Sequence, residues 1–143
     1  MNDISVTVMG TVGTDIKYVA GERGARATFR LASTTRFFSK SSQSWMDGST
    51  TWLDVLCWRR LADNVASSLA KGDRVIVVGR LGVRTWEGDR GSRQSVEINA
   101  IAVGHDLNRG TSAFRKQRNE RPESNEGAEG GTAAVVPIQA ATA

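Results

Sequence analysis

Between Ile4 and Val12 the chain reads ISVTVMGTV, with Ile4, Val6 and Val8 separated by Ser5 and Thr7. A strand sends successive side chains to opposite faces, so this period of two predicts a half-buried β-strand, with Gly10 and Gly13 permitting a sharp bend near its end. The period returns after the turn-rich GERG at 21–24. In ARATFRLAST, Ala27, Phe29 and Leu31 share one face while Arg26, Thr28 and Arg30 share the other, giving a second strand with a basic outer face. A third strand is TWLDVLCW, where Leu53, Val55 and Cys57 point one way and Trp52, Asp54, Leu56 and Trp58 the other. The valine-rich DRVIVVGRL at 73–81 predicts a fourth strand extending toward Trp86, and SVEINAIAV at 95–103 a fifth, beyond the turn EGDRG.

From Arg59 to Ala70 the period lengthens. Leu61, Val65 and Leu69, with Ala62 and Ala66, recur four apart and predict one amphipathic helix, ended by Lys71 and Gly72. The stretch FFSKSSQSWMDGST at 37–50, rich in Ser, Lys and Gly, predicts a long mobile loop carrying aromatic and basic residues. Beyond Arg109 the pattern dissolves into RKQRNERPESNEGAEGG, which supports no core, and residues 111–143 are expected to form a disordered tail with AAVVPI as its one apolar patch. Five short strands with a helix between the third and fourth predict an all-β fold, a five-stranded barrel of the OB type, over residues 1–110.

Charge adds a partner class to this picture. The net charge of +4 resides in the barrel region, because Met1 to Gly110 hold fifteen Lys or Arg against eleven Asp or Glu while the tail holds four of each. Such a balance suits an anionic partner. Cys57 is the only cysteine and His105 the only histidine, so an intrachain disulfide, a cysteine metal cluster and a histidine-rich metal site are all excluded. No apolar run approaches the ~20 residues of a membrane span, and MNDISVTVMG lacks the features of a signal peptide, so a cytoplasmic protein is expected. The chain lacks GxxxxGK[ST] and HExxH, and GTVG at 10–13 is too short for a dinucleotide fingerprint. No enzymatic activity and no cofactor are expected.

The third strand poses the functional question, because two tryptophans flank an aspartate on the face that a barrel leaves outside. One reading makes Trp52 and Trp58 stacking platforms on a groove wall, where the π-face of any nucleobase can rest, with phosphates met by Arg59, Arg60, Arg80 and Arg84. A competing reading makes Trp52, Trp58 and Trp86 a subunit or partner interface. Trp86 would equally serve to cap the barrel edge. Phe37 and Phe38 divide between faces, which assigns one of them to the core, and Trp45 sits within the expected loop. Asp54 either pairs with an arginine of an adjacent strand or accepts from a base amino group. An RNA strand is a further alternative, since stacking tolerates both sugars.

Taken in order, VMGTVGTDIKY (8–18), ATFRLAST (27–34), TTWLDVLCWRRLADNVASSLAKGDRVIVVGRL (50–81) and RTWEGDRG (84–91) resemble the bacterial single-stranded DNA-binding proteins of the OB-fold class, over about Asp3 to Leu107. The resemblance implies a homotetramer that wraps and protects single-stranded DNA in replication, recombination or repair. It carries stacking roles onto Phe37, Trp52, Trp58 and Trp86, a DNA-contacting loop onto 38–49, and basic contacts onto Arg60, Lys71 and Arg84. Asp54 departs from members with a basic residue there. Typical members end in an acidic tip that docks replication and repair proteins, whereas this sequence has no acid after Glu129 and closes VVPIQAATA, with only Pro137 and Ile138 similar to the tip. Partner recruitment through the C-terminus is therefore not transferred. A specialised second member of the family is implied, with natural transformation, sporulation-linked segregation and stress repair as candidate roles.

Overall fold

The computed structural model describes residues 3–117. Strand β1 (Ile4–Val12) is followed by β2 (Lys17–Gly21), β3 (Gly24–Ser39), β4 (Ser44–Trp58), helix α1 (Arg59–Ser68), β5 (Arg74–Gly88) and β6 (Gly91–His105). Neighbouring strands run β1-β5-β6-β4-β3-β2, and β1 also pairs with β3, so five strands close into a barrel with β2 outside the closure. Every pairing is antiparallel except β4 with β6. This is the OB-fold barrel, with its helix between the strands expected to flank it. The chain divides into units Met1–Ser112 and Ala113–Ala143, and the barrel occupies the first.

The period-two faces become the core. Ala27, Phe29 and Leu31 of β3, Leu53, Val55 and Cys57 of β4, Val75 and Val77 of β5, and Ile98 of β6 are buried together with Val12. Ala62, Val65 and Leu69 join the same cluster from the helical segment. Fully burying a side chain of this size contributes about 1.5–3 kcal/mol, so the barrel interior dominates the stability of the fold. Burial also pushes the Cys57 thiol up to about 11, which keeps it protonated and inert at neutral pH.

Four expectations are corrected. First, Lys17–Gly21 is a strand that pairs with β3, giving six strands in place of five. All five of its residues are exposed, so no alternation of apolar positions reveals it. Second, 37–50 is largely a hairpin arm rather than a loop: β3 runs to Ser39, β4 starts at Ser44, and only 40–43 form the turn. The arm is held by cross-strand pairs, with the Thr34 and Thr50 hydroxyls 2.8 Å apart, Arg36 3.3 Å from Asp47, and the Phe38 and Trp45 rings packed edge-on at 5.8 Å. Because it reaches past the barrel, neither of its faces is a core face, and its sequence reads as polar. Third, for the same reason neither Phe37 nor Phe38 is buried, each being 50% exposed. Fourth, α1 ends at Ser68, two residues before the expected Ala70, because Leu69 turns to an extended conformation while Ala70 N–H donates to the Asp73 carboxylate at 2.9 Å. Of the tail at 111–143, residues 118–143, including AAVVPI, Pro137 and Ile138, lie outside the described residues.

Candidate nucleic-acid interface

The faces of β3 and β4 that do not fill the barrel meet on its outer wall. Register sets Arg26 opposite Trp58, Arg30 opposite Asp54 and Ala32 opposite Trp52. The Arg30 guanidinium lies 5.2 Å from the Trp52 ring centre and that of Arg26 6.0 Å from the Trp58 ring, so each tryptophan has a cation over it. Trp52, Trp58 and Trp86 remain 45%, 47% and 42% exposed. The Trp58 indole N–H donates to Asn99 Oδ1 at 3.3 Å, which orients the ring from β6.

Two clefts follow this wall. One, of about 630 Å³, lies between Trp52 and Trp86 and is lined also by Arg30, Asp54, Arg93 and Ser95. The second, of about 410 Å³, is lined by Lys17, Arg26, Arg30, Arg84, Asp54 and Glu97 among others. Arg30 and Asp54 border both, which makes the clefts adjoining parts of one groove. Five cationic side chains line it against two carboxylates. Both carboxylates are engaged: Asp54 accepts from Arg30 Nε at 3.2 Å and from Ser95 Oγ at 2.6 Å, and Glu97 lies 3.9 Å from Arg84. The groove is therefore basic, aromatic and half-exposed, able to stack planar rings and neutralise phosphates. Among the described residues no group of His, Cys, Asp or Glu is arranged to hold a metal ion.

Of the residues expected from sequence, the structure brings Trp52, Trp86 and Arg84 into this groove, with Trp58 on the same face of β4. Arg59, Arg60, Lys71, Arg80 and Phe37 line neither cleft. Arg59 begins α1 with φ at +56°, its side-chain stem beside Gly24. Lys71 is exposed in the turn before β5, Arg80 is 3.6 Å from Asp3, and Phe37 stands on the hairpin arm. Sequence reasoning placed Arg26 and Arg30 on a basic face but left them out of the site, and it missed Lys17, Arg93, Ser95 and Asn99. The antiparallel pairing of β3 with β4 brings the first two in, setting Arg26 opposite Trp58 and Arg30 opposite Asp54, from where its guanidinium reaches Trp52. Asp54 takes the first of its two expected partners, an arginine of the adjacent strand.

Gly13 packs closely against the Trp52 ring. Its N–H donates to the Arg30 carbonyl at 2.8 Å, fixing the backbone, and a Cβ built there would stand 2.4 Å from Trp52 Cζ3. Only a residue without a side chain lets the ring lie so close.

The chain matches the single-strand binding protein family over residues 3–106. It is 44% identical to single-stranded DNA-binding protein 2 of Streptomyces avermitilis, over 96% of this chain and 84% of that one. It is 45% identical to a protein of the same name from Tropheryma whipplei, over 85% and 80%. Among solved structures, the small single-stranded DNA-binding protein from Streptomyces coelicolor superposes with a TM-score of 0.72 at 43% identity, covering 77% of this chain and all of that one. The second single-stranded DNA-binding protein from Mycobacterium smegmatis superposes with a TM-score of 0.62 at 31% identity, covering 80% and 100%.

Gly13→Ala is expected to displace the Trp52 ring, changing indole emission and near-ultraviolet circular dichroism while the far-ultraviolet spectrum is kept. The change should vanish in a Trp52→Phe background. Unaltered emission in Gly13→Ala would show that the ring does not rest on Gly13.

Proposed function

The chain belongs to the single-strand binding protein family, and we propose that it binds and protects single-stranded DNA, tolerating most sequences, through base stacking and phosphate contacts in replication, recombination or repair. The observation that carries this reading is a row of half-exposed tryptophans on a basic barrel wall whose alternate residues fill the core. Trp52, Trp58 and Trp86 are the stacking platforms, with Phe37 extending the track along the hairpin arm. Arg26, Arg30 and Arg84 meet phosphates in the groove, and Arg59, Arg60, Lys71 and Arg80 guide the strand around the barrel. The protein acts by binding and catalyses no reaction. Residues 1–110 form the binding domain and 111–143 a tail, and the site of action is the cytoplasmic nucleoid.

The working unit is a homotetramer. Support comes from the opposite wall, where Met9 faces Ile76 across the β1–β5 ladder and Val78 and Ile101 extend the apolar surface. Met9 and Ile101 are 57% and 61% exposed, and a second copy of this chain would cover them.

Stacking in single-strand binding proteins, this family among them, is worth about 1–3 kcal/mol per base, so Trp52→Ala combined with Trp58→Ala should weaken oligo-dT binding by ~2–6 kcal/mol in a folded protein. Undiminished affinity in a folded double variant would remove the stacking role. Light scattering should return the mass of four chains, and Met9→Lys with Ile101→Lys should lower it without melting the barrel. A monomeric wild-type protein at micromolar concentration would contradict the assembly.

A further inference from the structure

Asp54 is the one acidic residue that borders both clefts, yet a carboxylate opposes phosphate binding. Its pairing with Arg30 is too exposed to explain it as a stabilising contact: the side chains are 36% and 51% accessible, and such pairs contribute about 0–1 kcal/mol. What the two contacts accomplish is orientation. Arg30 Nε holds Oδ1 and Ser95 Oγ holds Oδ2, each oxygen from a different neighbouring strand. A carboxylate has about four acceptor positions, so each oxygen keeps one for a ligand.

The bases differ in what they offer such a pair of acceptors. In a single strand the pairing edge is free, and guanine presents N1–H and the N2 amino group side by side, two donors for two oxygens. Cytosine and adenine offer one amino group each. Thymine sets two carbonyl oxygens about a single N–H and meets the carboxylate with like partial charge. A base lodged between Trp52 and Trp86 shares its cleft with Asp54 and Ser95. We propose that Asp54, aimed by Arg30 and Ser95, is a base-reading residue that makes this cleft prefer guanine over thymine within otherwise sequence-tolerant binding. The inference rests on the single-strand-binding reading and adds to it one position of discrimination.

The test compares a thymine tract with a tract of equal length carrying spaced guanines, each competing against a labelled strand at one salt concentration. Wild type should favour the guanine-bearing strand by about fivefold, the lower end of what a two-point contact to a base supplies. Asp54→Asn replaces one acceptor by a donor, so the preference should disappear while affinity for the thymine tract rises as charge repulsion is lost. Ser95→Ala, which frees one oxygen without removing charge, should reduce the preference and serves as the probe should Asp54→Asn unfold. Equal wild-type affinities, or a preference that survives in both variants, would overturn the role of Asp54 while leaving single-strand binding intact. Failure of wild type to bind either strand at low salt would defeat both readings.

Discussion

The alternation of β4 is the constraint on which this molecule depends. Leu53, Val55 and Cys57 are buried in the barrel, and the pleat that puts them there obliges Trp52, Asp54 and Trp58 to face outward. Core and site are thus two faces of one strand. A slip of one residue against β3 would bury the aspartate and expose the leucine, so the hydrophobic interior fixes the register and the register sets arginine beside tryptophan. The precision of the groove is inherited from the packing of the core.

The groove's electrostatics follow from the same ladders. Arg26 and Arg30 reach the tryptophans because β3 is the antiparallel neighbour of β4, and Asn99 and Ser95 reach Trp58 and Asp54 because β6 lies on the other side. Each contact is weak alone, since exposed cation–π pairs are worth about 0.5–1 kcal/mol. Their collective effect is to hold the indole rings in place with cations at hand before any ligand arrives, an arrangement that would lower the ordering cost of binding. Gly13 belongs to this arrangement, because its missing side chain is the space in which the Trp52 ring rests.

Much of this was legible in the sequence wherever a residue answers to a core. Ala27, Phe29, Leu31, Leu53, Val55 and Cys57 are the faces that alternation named, and the helix stripe of Ala62, Val65 and Leu69 is the one that packs. Legibility failed where no core lies beneath. The exposed strand at 17–21 and the arm at 37–50 gain their order from strand pairing and exposed side-chain contacts, such as the Tyr18 hydroxyl donating to Asp63, rather than from burial, which leaves no period-two apolar signal. Residues in the site were found when they shared a strand with the tryptophans and missed when they came from across a ladder, as Arg93, Ser95 and Asn99 do. The motifs Val8–Tyr18 and Thr50–Leu81 named the family before any of these contacts could be placed.

The proposed function requires bases to stack on the exposed indoles while cations hold the backbone. Titrating intrinsic tryptophan fluorescence with oligo-dT at low and high salt, with duplex DNA as the control, tests it most directly. Strong quenching by the single strand, weakened by salt, and little change with the duplex are expected. Emission that stays constant as oligo-dT is added at low salt would contradict it and return Trp52, Trp58 and Trp86 to the role of a protein interface.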